Sequence, residues 1–585
     1  MKTKIWKKMS ILLTAVCVLT AIPACGGRGP ETDNTKTQLY VSTIPAGYGD
    51  GWLVAAARRF EEAYAEVSLE EGKVGVQVWT DMAAPSGHSA ATDLPNTTKD
   101  VIFSENTDYY DLVNQNLLHD ITTAVESPLS EFEETDSIAD KMTADDRAFY
   151  KTSADANGKY YAVPFCTNYT NIIYDVDLWG DPDEGGFYFE ADTTKPDRPA
   201  LKIGGGYRFT ADLSKRSNGP DGKTGVIGGV DYSVDDGLPA TYEQFFAMCY
   251  EMADRGIEPI IWPGTYQFHM YRFLYTLWMS NEGYDQMKLN YTLDGQATDL
   301  VEGFNPDGSL KYLSTPENPQ PISSENGYLL SKQAGKYYAL SWLETLLDNS
   351  SYYDSVKCFG SMLHTSAQNA FLRSKYDTSM KRIAMFIDGG HWEYEATQTF
   401  NTLVSRYGES ASKMNRKLAF LPLPKPTDKQ IGQQSIVPDL ASATIYIPAK
   451  VDPNKAHAAE TFLRFMHTQA SLVEFNQLTS ITRPYDYEIS EAEQEDMTYF
   501  GRSMYKNFRT SKVLASRSRN NTFVKNYNIF NPLMTSIWAT NVNIGGQLST
   551  YDVPSTAMYN NHVSAQDYFL GMSNRFSPEY WNTIK

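Results

Sequence analysis

Cysteine and histidine are scarce, 5 and 8 among 585 residues. Five cysteines cannot staple a chain this long, and eight histidines cannot fill a dense metal cluster, so the fold rests on apolar burial. A surplus of positive charge is also missing: Lys and Arg total 51 against 71 Asp and Glu, a formal net charge of −20. Nucleic-acid binders carry the opposite balance, which removes that class. Past the N-terminus no run of 18 apolar residues occurs, so no later segment reads as a membrane span. Internal repeats and low-complexity tracts are absent. What remains is an ordinary globular balance, 42% hydrophobic and 21% charged, long enough for two or more domains. Aromatics reach 13%, with 39 tyrosines, more than a core needs and suited to a ligand that stacks on rings.

The N-terminus is a processing signal. Lys2, Lys4, Lys7 and Lys8 precede an uncharged stretch, 11–24. That stretch is shorter than the roughly 20 residues a bilayer span needs, so it reads as a signal-peptide core. It ends in Ile22-Pro23-Ala24-Cys25-Gly26-Gly27, which resembles a bacterial lipobox. The resemblance implies cleavage before Cys25 and lipidation of that residue, palmitate included. Residues 26–37 are polar and contain Gly and Pro, a flexible tether. Cleavage removes four lysines and no acid, taking the net charge to −24. Cys166, Cys249 and Cys358 then remain for at most one disulfide.

Strand-like and helix-like runs alternate. Leu39-Tyr40-Val41, Val76-Gln77-Val78, Val101-Ile102-Phe103, Ala162-Val163-Pro164, Ile172-Ile173-Tyr174, Ile260-Ile261, Ile383-Ala384-Met385-Phe386-Ile387 and Thr444-Ile445-Tyr446 are strand candidates. Trp52, Ala56, Phe60 and Tyr64 repeat at helical spacing, and 241–254, 340–347, 367–373 and 456–468 read as helices. Such alternation predicts an α/β fold with parallel strands covered by helices. Gly-, Asp- and Pro-rich excursions occupy about 180–240 and 291–325. Beyond 490 the pattern is helical, with loops near 541–563.

Catalytic and metal motifs fail on context. Gly222-Lys223-Thr224 follows no strand, Gly87-His88-Ser89 lacks a strand-to-helix turn, and the Asp181 and Asn305 loops lack the acid that closes a calcium loop. His457 and His467 are spaced wrongly for a zinc helix. We expect no catalytic residues, no metal, no cofactor and no enzymatic activity. Paired carboxylates for glycoside hydrolysis stay open, because 71 acids offer too many pairs.

An ordered series of blocks carries a resemblance to a family. They are Trp52 to Tyr64 with Phe60-Glu61; Asp100-Val101-Ile102-Phe103; Gly158-Lys159-Tyr160-Tyr161-Ala162-Val163-Pro164-Phe165 followed by Ile173-Tyr174-Asp175; Pro239-Ala240-Thr241-Tyr242; Gly389-Gly390-His391-Trp392; and Tyr446-Ile447-Pro448-Ala449-Lys450. Over about 36–490 the chain resembles the extracellular solute-binding proteins of bacterial ABC carbohydrate importers, solute-binding protein family 1, which includes maltose-binding protein. Many relatives have Asn where Asp175 stands. The resemblance implies a two-lobed periplasmic-binding-protein-like fold with discontinuous lobes joined by hinge crossovers. Residues 1–24 are then the signal peptide and 25–37 the lipidated tether. Lobe 1 is 38–165 plus 444–490, and lobe 2 is 166–443 plus 491–585, with crossings near Phe165 and Ser442.

The expected function is capture of a carbohydrate, an oligosaccharide, outside the cell and its delivery to ABC permease subunits. The protein would be a monomer held to the membrane through the lipid on Cys25 alone. The alternatives are a secreted carbohydrate-active enzyme on a lipid anchor and a binding protein feeding a sensory receptor. Sugars present C–H faces and directional hydroxyls, so the site needs rings and planar polar groups. By matched position and residue chemistry the candidates are Tyr48, Asp50, Glu105, Asn106, Asn168, Tyr169, Trp262, Tyr266, Gln267 and Trp392. Trp392, past the Gly389-Gly390 break, is the expected stacking platform. The mature charge argues against an acidic sugar unless a local basic pocket overrides it.

Overall fold

The computed structural model describes residues 31–183, 186–227, 230–431, 436–439, 443–516, 538, 540–544, 547–551 and 553–584. Cys25, the signal peptide and Ser442 lie outside the described residues.

Nine strands build the two main sheets: β1 (Thr37–Thr43), β2 (Val76–Asp81), β3 (Val101–Ser104), β4 (Ala162–Pro164), β5 (Thr170–Asp175), β6 (Glu258–Ile261), β7 (Ile383–Gly389), β8 (Leu418–Phe420) and β9 (Thr444–Tyr446). The first sheet has the order β2-β1-β3-β9-β4, the second β6-β7-β5-β8. In the first, β1 is parallel to β2 and β3, while β9 runs antiparallel between β3 and β4. Thr444 faces both Ser104 and Pro164, so a segment 280 residues downstream completes a sheet begun before residue 165. In the second, β6 and β7 are parallel and β5 is antiparallel to both β7 and β8. The apolar runs at 101–103 and 383–387 are fully buried, as strands covered on both faces must be.

Helices cover the sheets where the periodicity placed them. Helix α1 (Gly51–Ala63) buries Trp52, Ala56 and Phe60, with Tyr64 just past its end. Helix α2 (Phe268–Glu282), which the sequence reading did not place, packs on β5 and β7 and also on Ala334–Asp348. The 180–240 and 291–325 excursions contain small antiparallel hairpins, such as Val301–Phe304 with Leu310–Tyr312. The segment past 490 is mixed. Helix α3 (Tyr499–Thr510) packs on β8, Ala565–Arg575 packs on Ala334–Asp348, and Lys512–Ala515 pairs with Ile436–Asp439. Helices were expected beyond 490, with loops near 541–563. The Lys512–Ala515 strand departs from that because its pairing partner lies far upstream, which no local pattern reveals. The expected loops hold a hairpin, Thr540–Ile544 with Gln547–Tyr551, and the helix Pro554–Asn561.

Two polar anchors fix the crossover. Arg483 is fully buried and donates from Nε to Phe165 O at 2.9 Å, while Thr167 N donates to Thr482 O at 3.0 Å. At the other end of β5, Asp175 is buried between Arg416, at 2.5 Å, and Arg382. Burial pushes its carboxyl up, but the two guanidinium groups outweigh that and hold it below the usual carboxylate range. Cys166, Cys249 and Cys358 are buried and free.

Candidate functional site

The C-terminal ends of β1, β3 and β7 meet along one line, and loops from both sheets touch there. The loop after β1 carries Tyr48 between Gly47 and Gly49. A Cβ on Gly47 would fall 2.2 Å from Glu395 Oε1, and one on Gly49 2.4 Å from Tyr394 Oη. Gly49 also has φ +62°, where a side chain strains the backbone. The two loops therefore meet without room for a side chain at either glycine. The Tyr48 ring is buried 5.3 Å from the His391 ring, and its hydroxyl donates to Glu105 Oε1 at 3.1 Å.

Beyond β7, the Gly390 N–H donates to Asn168 Oδ1 at 3.0 Å, and the Asn168 amide meets His391 Nε2. Asp388 accepts from Gln368 Nε2 at 3.0 Å and lies 3.1 Å from His269 Nδ1. The same Gln368 amide reaches Glu395 Oε2 at 2.7 Å. Burial drives the His391 imidazole down to about 4, so it is neutral at neutral pH. Burial pushes the Glu105 carboxyl up to about 7, against the pull of the Tyr48 hydroxyl and the Arg272 charge. This seam is a polar network linked across both loops, in which His391 Nδ1 is left without a hydrogen-bond partner.

Further along the edge, on the β8 side, a cavity of about 430 Å³ opens. Tyr169 and Asn171 line it from β5 and its approach, Thr276 and Ser280 from α2, and Asn507 and Thr510 from α3. Leu421 to Leu423 and Lys425 continue from β8, and Asp221, Lys223, Tyr232 and Asp235 come from the first excursion. The Tyr169 ring lies 5.0 Å from Phe420. Two rings, two amides and several hydroxyls thus converge on a volume within the roughly 300–1,000 Å³ of small-molecule sites.

A family comparison bears on this geometry. The model of the bacterial extracellular solute-binding proteins matches residues 55–494, three-quarters of the chain. The chain belongs to that family. The protein is therefore an extracytoplasmic solute binder with the two-lobed α/β fold of its kin. No curated protein matches the chain. Among the described residues no helix is long and apolar enough to cross a membrane, and no group of three or more His, Cys, Asp or Glu is arranged to hold a metal ion.

The candidates fall into three groups. Tyr48, Glu105 and Asn168 gather around His391 in the seam; Asn106 beside them is exposed in a left-handed turn, and Asp50 sits at the start of α1 without capping it through its side chain. Tyr169 lines the cavity, and Tyr266 is 38% exposed beside His364. The other three are placed differently from the expectation. Trp392 is fully buried among Phe386, at 5.2 Å, and Phe500, at 5.5 Å, the packing of a core side chain. A short helix, Trp392–Glu395, starts at that residue and turns the ring inward, leaving His391 at the seam. Trp262 is buried against Tyr353 and Phe359. The Gln267 amide is held by Gly264 O and Cys358 O, and its carbonyl accepts from Ser555. Sequence reasoning missed His391, Arg272, Lys425 and Asp235. Only His391 had a signal, its place directly after the glycines that end β7.

Proposed function

We propose that this solute-binding protein captures a carbohydrate in the 430 Å³ cavity and hands it to an ABC importer. The cavity lining carries this reading. Tyr169 and Tyr232 offer faces to sugar C–H groups, and the amides of Asn171 and Asn507 fix hydroxyl direction from both sides. The seam of Tyr48, Glu105, Asn168 and His391 is then the contact made when the lobes close, since hinge closure is how two-lobed binders sequester ligand. Lobe 1 is 38–165 with 444–490, lobe 2 is 166–443 with 491–585, and the lipid on Cys25 tethers the monomer.

Isothermal titration of the mature chain against neutral and charged oligosaccharides tests this reading. Recovered ligand should be intact, and scattering should show compaction at saturation. Cleaved ligand would support the lipid-anchored enzyme instead. Cys25→Ala should release the protein from the membrane fraction; unchanged lipid labelling of that variant would overturn the anchor.

A further inference from the structure

Three lysines are buried among the described residues, and they differ in what faces them. Lys141 pairs with Glu134, and Lys336 lies near Glu282. Lys425, 6% exposed, has neither. Its Nζ donates to Ser280 O and, at 3.0 Å, to Ser280 Oγ. An ammonium carries three protons, so one remains for the cavity that Lys425 lines. Burial alone pushes the amine down, to about 8, and no carboxylate of the described residues pulls it back. A buried cation without a counter-ion is costly, and an anion arriving with a ligand offsets that cost.

The acids of the cavity fit such a guest. Asp235 is 6% exposed; its Oδ2 accepts from Asp221 N at 2.9 Å and its Oδ1 has no partner. Burial, with Asp221 and Asp236 nearby, pushes its carboxyl up to about 7, so near neutrality a large share is protonated and can donate to a hydroxyl. Lys223 stands 4.3 Å above the Tyr232 ring at the same wall and adds a second cation. The mature charge of −24 repels anions at long range, but salt screens that field beyond about 8 Å, whereas contact with a desolvated ammonium is hardly screened.

Resting on the carbohydrate reading above, we propose that the cavity selects an acidic sugar, bearing a carboxylate or a sulfate, with Lys425 receiving the anion and Asp235 a hydroxyl. The test is calorimetry of the full mature chain against uronate, sulfated and neutral di- to tetrasaccharides, compared at equal length. At least one acidic class should bind ten-fold or more tighter than its neutral counterpart; whichever does identifies the anion. Lys425→Met should erase that preference, so that acidic and neutral sugars of equal length bind alike. Ser280→Asp, which supplies a counter-ion from within, should erase it as well and guards against a misfolded Lys425→Met. Equal binding of acidic and neutral sugars, or a preference that survives both folded variants, overturns the inference and leaves the carbohydrate reading standing. Binding of none of the sugars overturns the carbohydrate reading and the inference with it.

Discussion

The seam and the cavity lie on one edge of the molecule, yet they treat buried polar groups in opposite ways. In the seam, partners come from distant chain segments: Tyr48 with Glu105, Asn168 with Gly390, Gln368 with both Asp388 and Glu395. In the cavity, Asp235 Oδ1 has no partner and Lys425 has one serine. An unsatisfied buried polar group costs about 1–3 kcal/mol, so a fold keeps one where something from outside can complete it. The seam leaves only ring nitrogens of His391 and His269 unpaired among the groups named here, whereas the cavity leaves an acid and a base. That contrast, more than the number of aromatic rings, separates a closure contact from a ligand site.

The contrast is broken or sharpened first by Trp392. Its ring is wholly enclosed, so Trp392→Ala should cost about 3–5 kcal/mol of unfolding free energy in urea titration. Ligand affinity of the molecules that still fold should not change. Tyr169→Ala should show the reverse: affinity lower by about 1–3 kcal/mol, roughly 5- to 150-fold, with a smaller loss of stability. If the two variants exchange these effects, ligand binds at the turn after β7 and the cavity is incidental.

Those two residues also mark what the sequence could tell. The strands were legible because apolar runs such as 383–387 have a single physical explanation, burial in a sheet, and Trp52, Ala56 and Phe60 allow only one helix face inward. Tyr48 was expected to stay out of the core because it stands between glycines in a loop, yet its ring is fully buried against Phe165 and Phe475. Trp392 was not legible either. Once Asp388-Gly389-Gly390 breaks the strand, periodicity no longer says which way the next ring points, and the onset of a four-residue helix turned it inward. Lys425 and Asp235 stand 190 positions apart, and only the packing of the first excursion against β8 and α2 brings them to one cavity. The Ile436–Asp439 and Lys512–Ala515 pairing was hidden for the same reason.

A smaller effect is expected where the loops meet. Gly49→Val places a branched side chain against the Tyr394 ring and at φ +62°. Strain at such a position costs about 1–3 kcal/mol by itself, so the comparison needs a control. Gly72 has φ +78° with nothing within 4 Å of its Cβ position, and Gly72→Val imposes similar strain without a clash. Relative to that control, Gly49→Val should weaken ligand binding by about ten-fold, or 1.4 kcal/mol. Scattering at saturating ligand should show a less compact particle. Equal behaviour of the two variants would mean that the seam does not form on closure.

The smallest effect is a pH dependence in the seam itself. The Glu105 carboxyl titrates near 7 in the folded chain and near 4.5 when unfolded. Between those values the folded state keeps a proton that the unfolded state has released. Stability from this group therefore falls as pH rises through that window and is level above it. Glu105→Gln keeps an acceptor for the Tyr48 hydroxyl and has no proton to lose. Its urea midpoint should fall less than that of the parent between pH 5 and 7, a relative gain of about 1 kcal/mol once the partial exposure of Glu105 is allowed for. Parallel curves for parent and variant would show that water reaches this carboxylate. The seam would then be no drier than the cavity, and the difference between the two ends would rest on geometry alone.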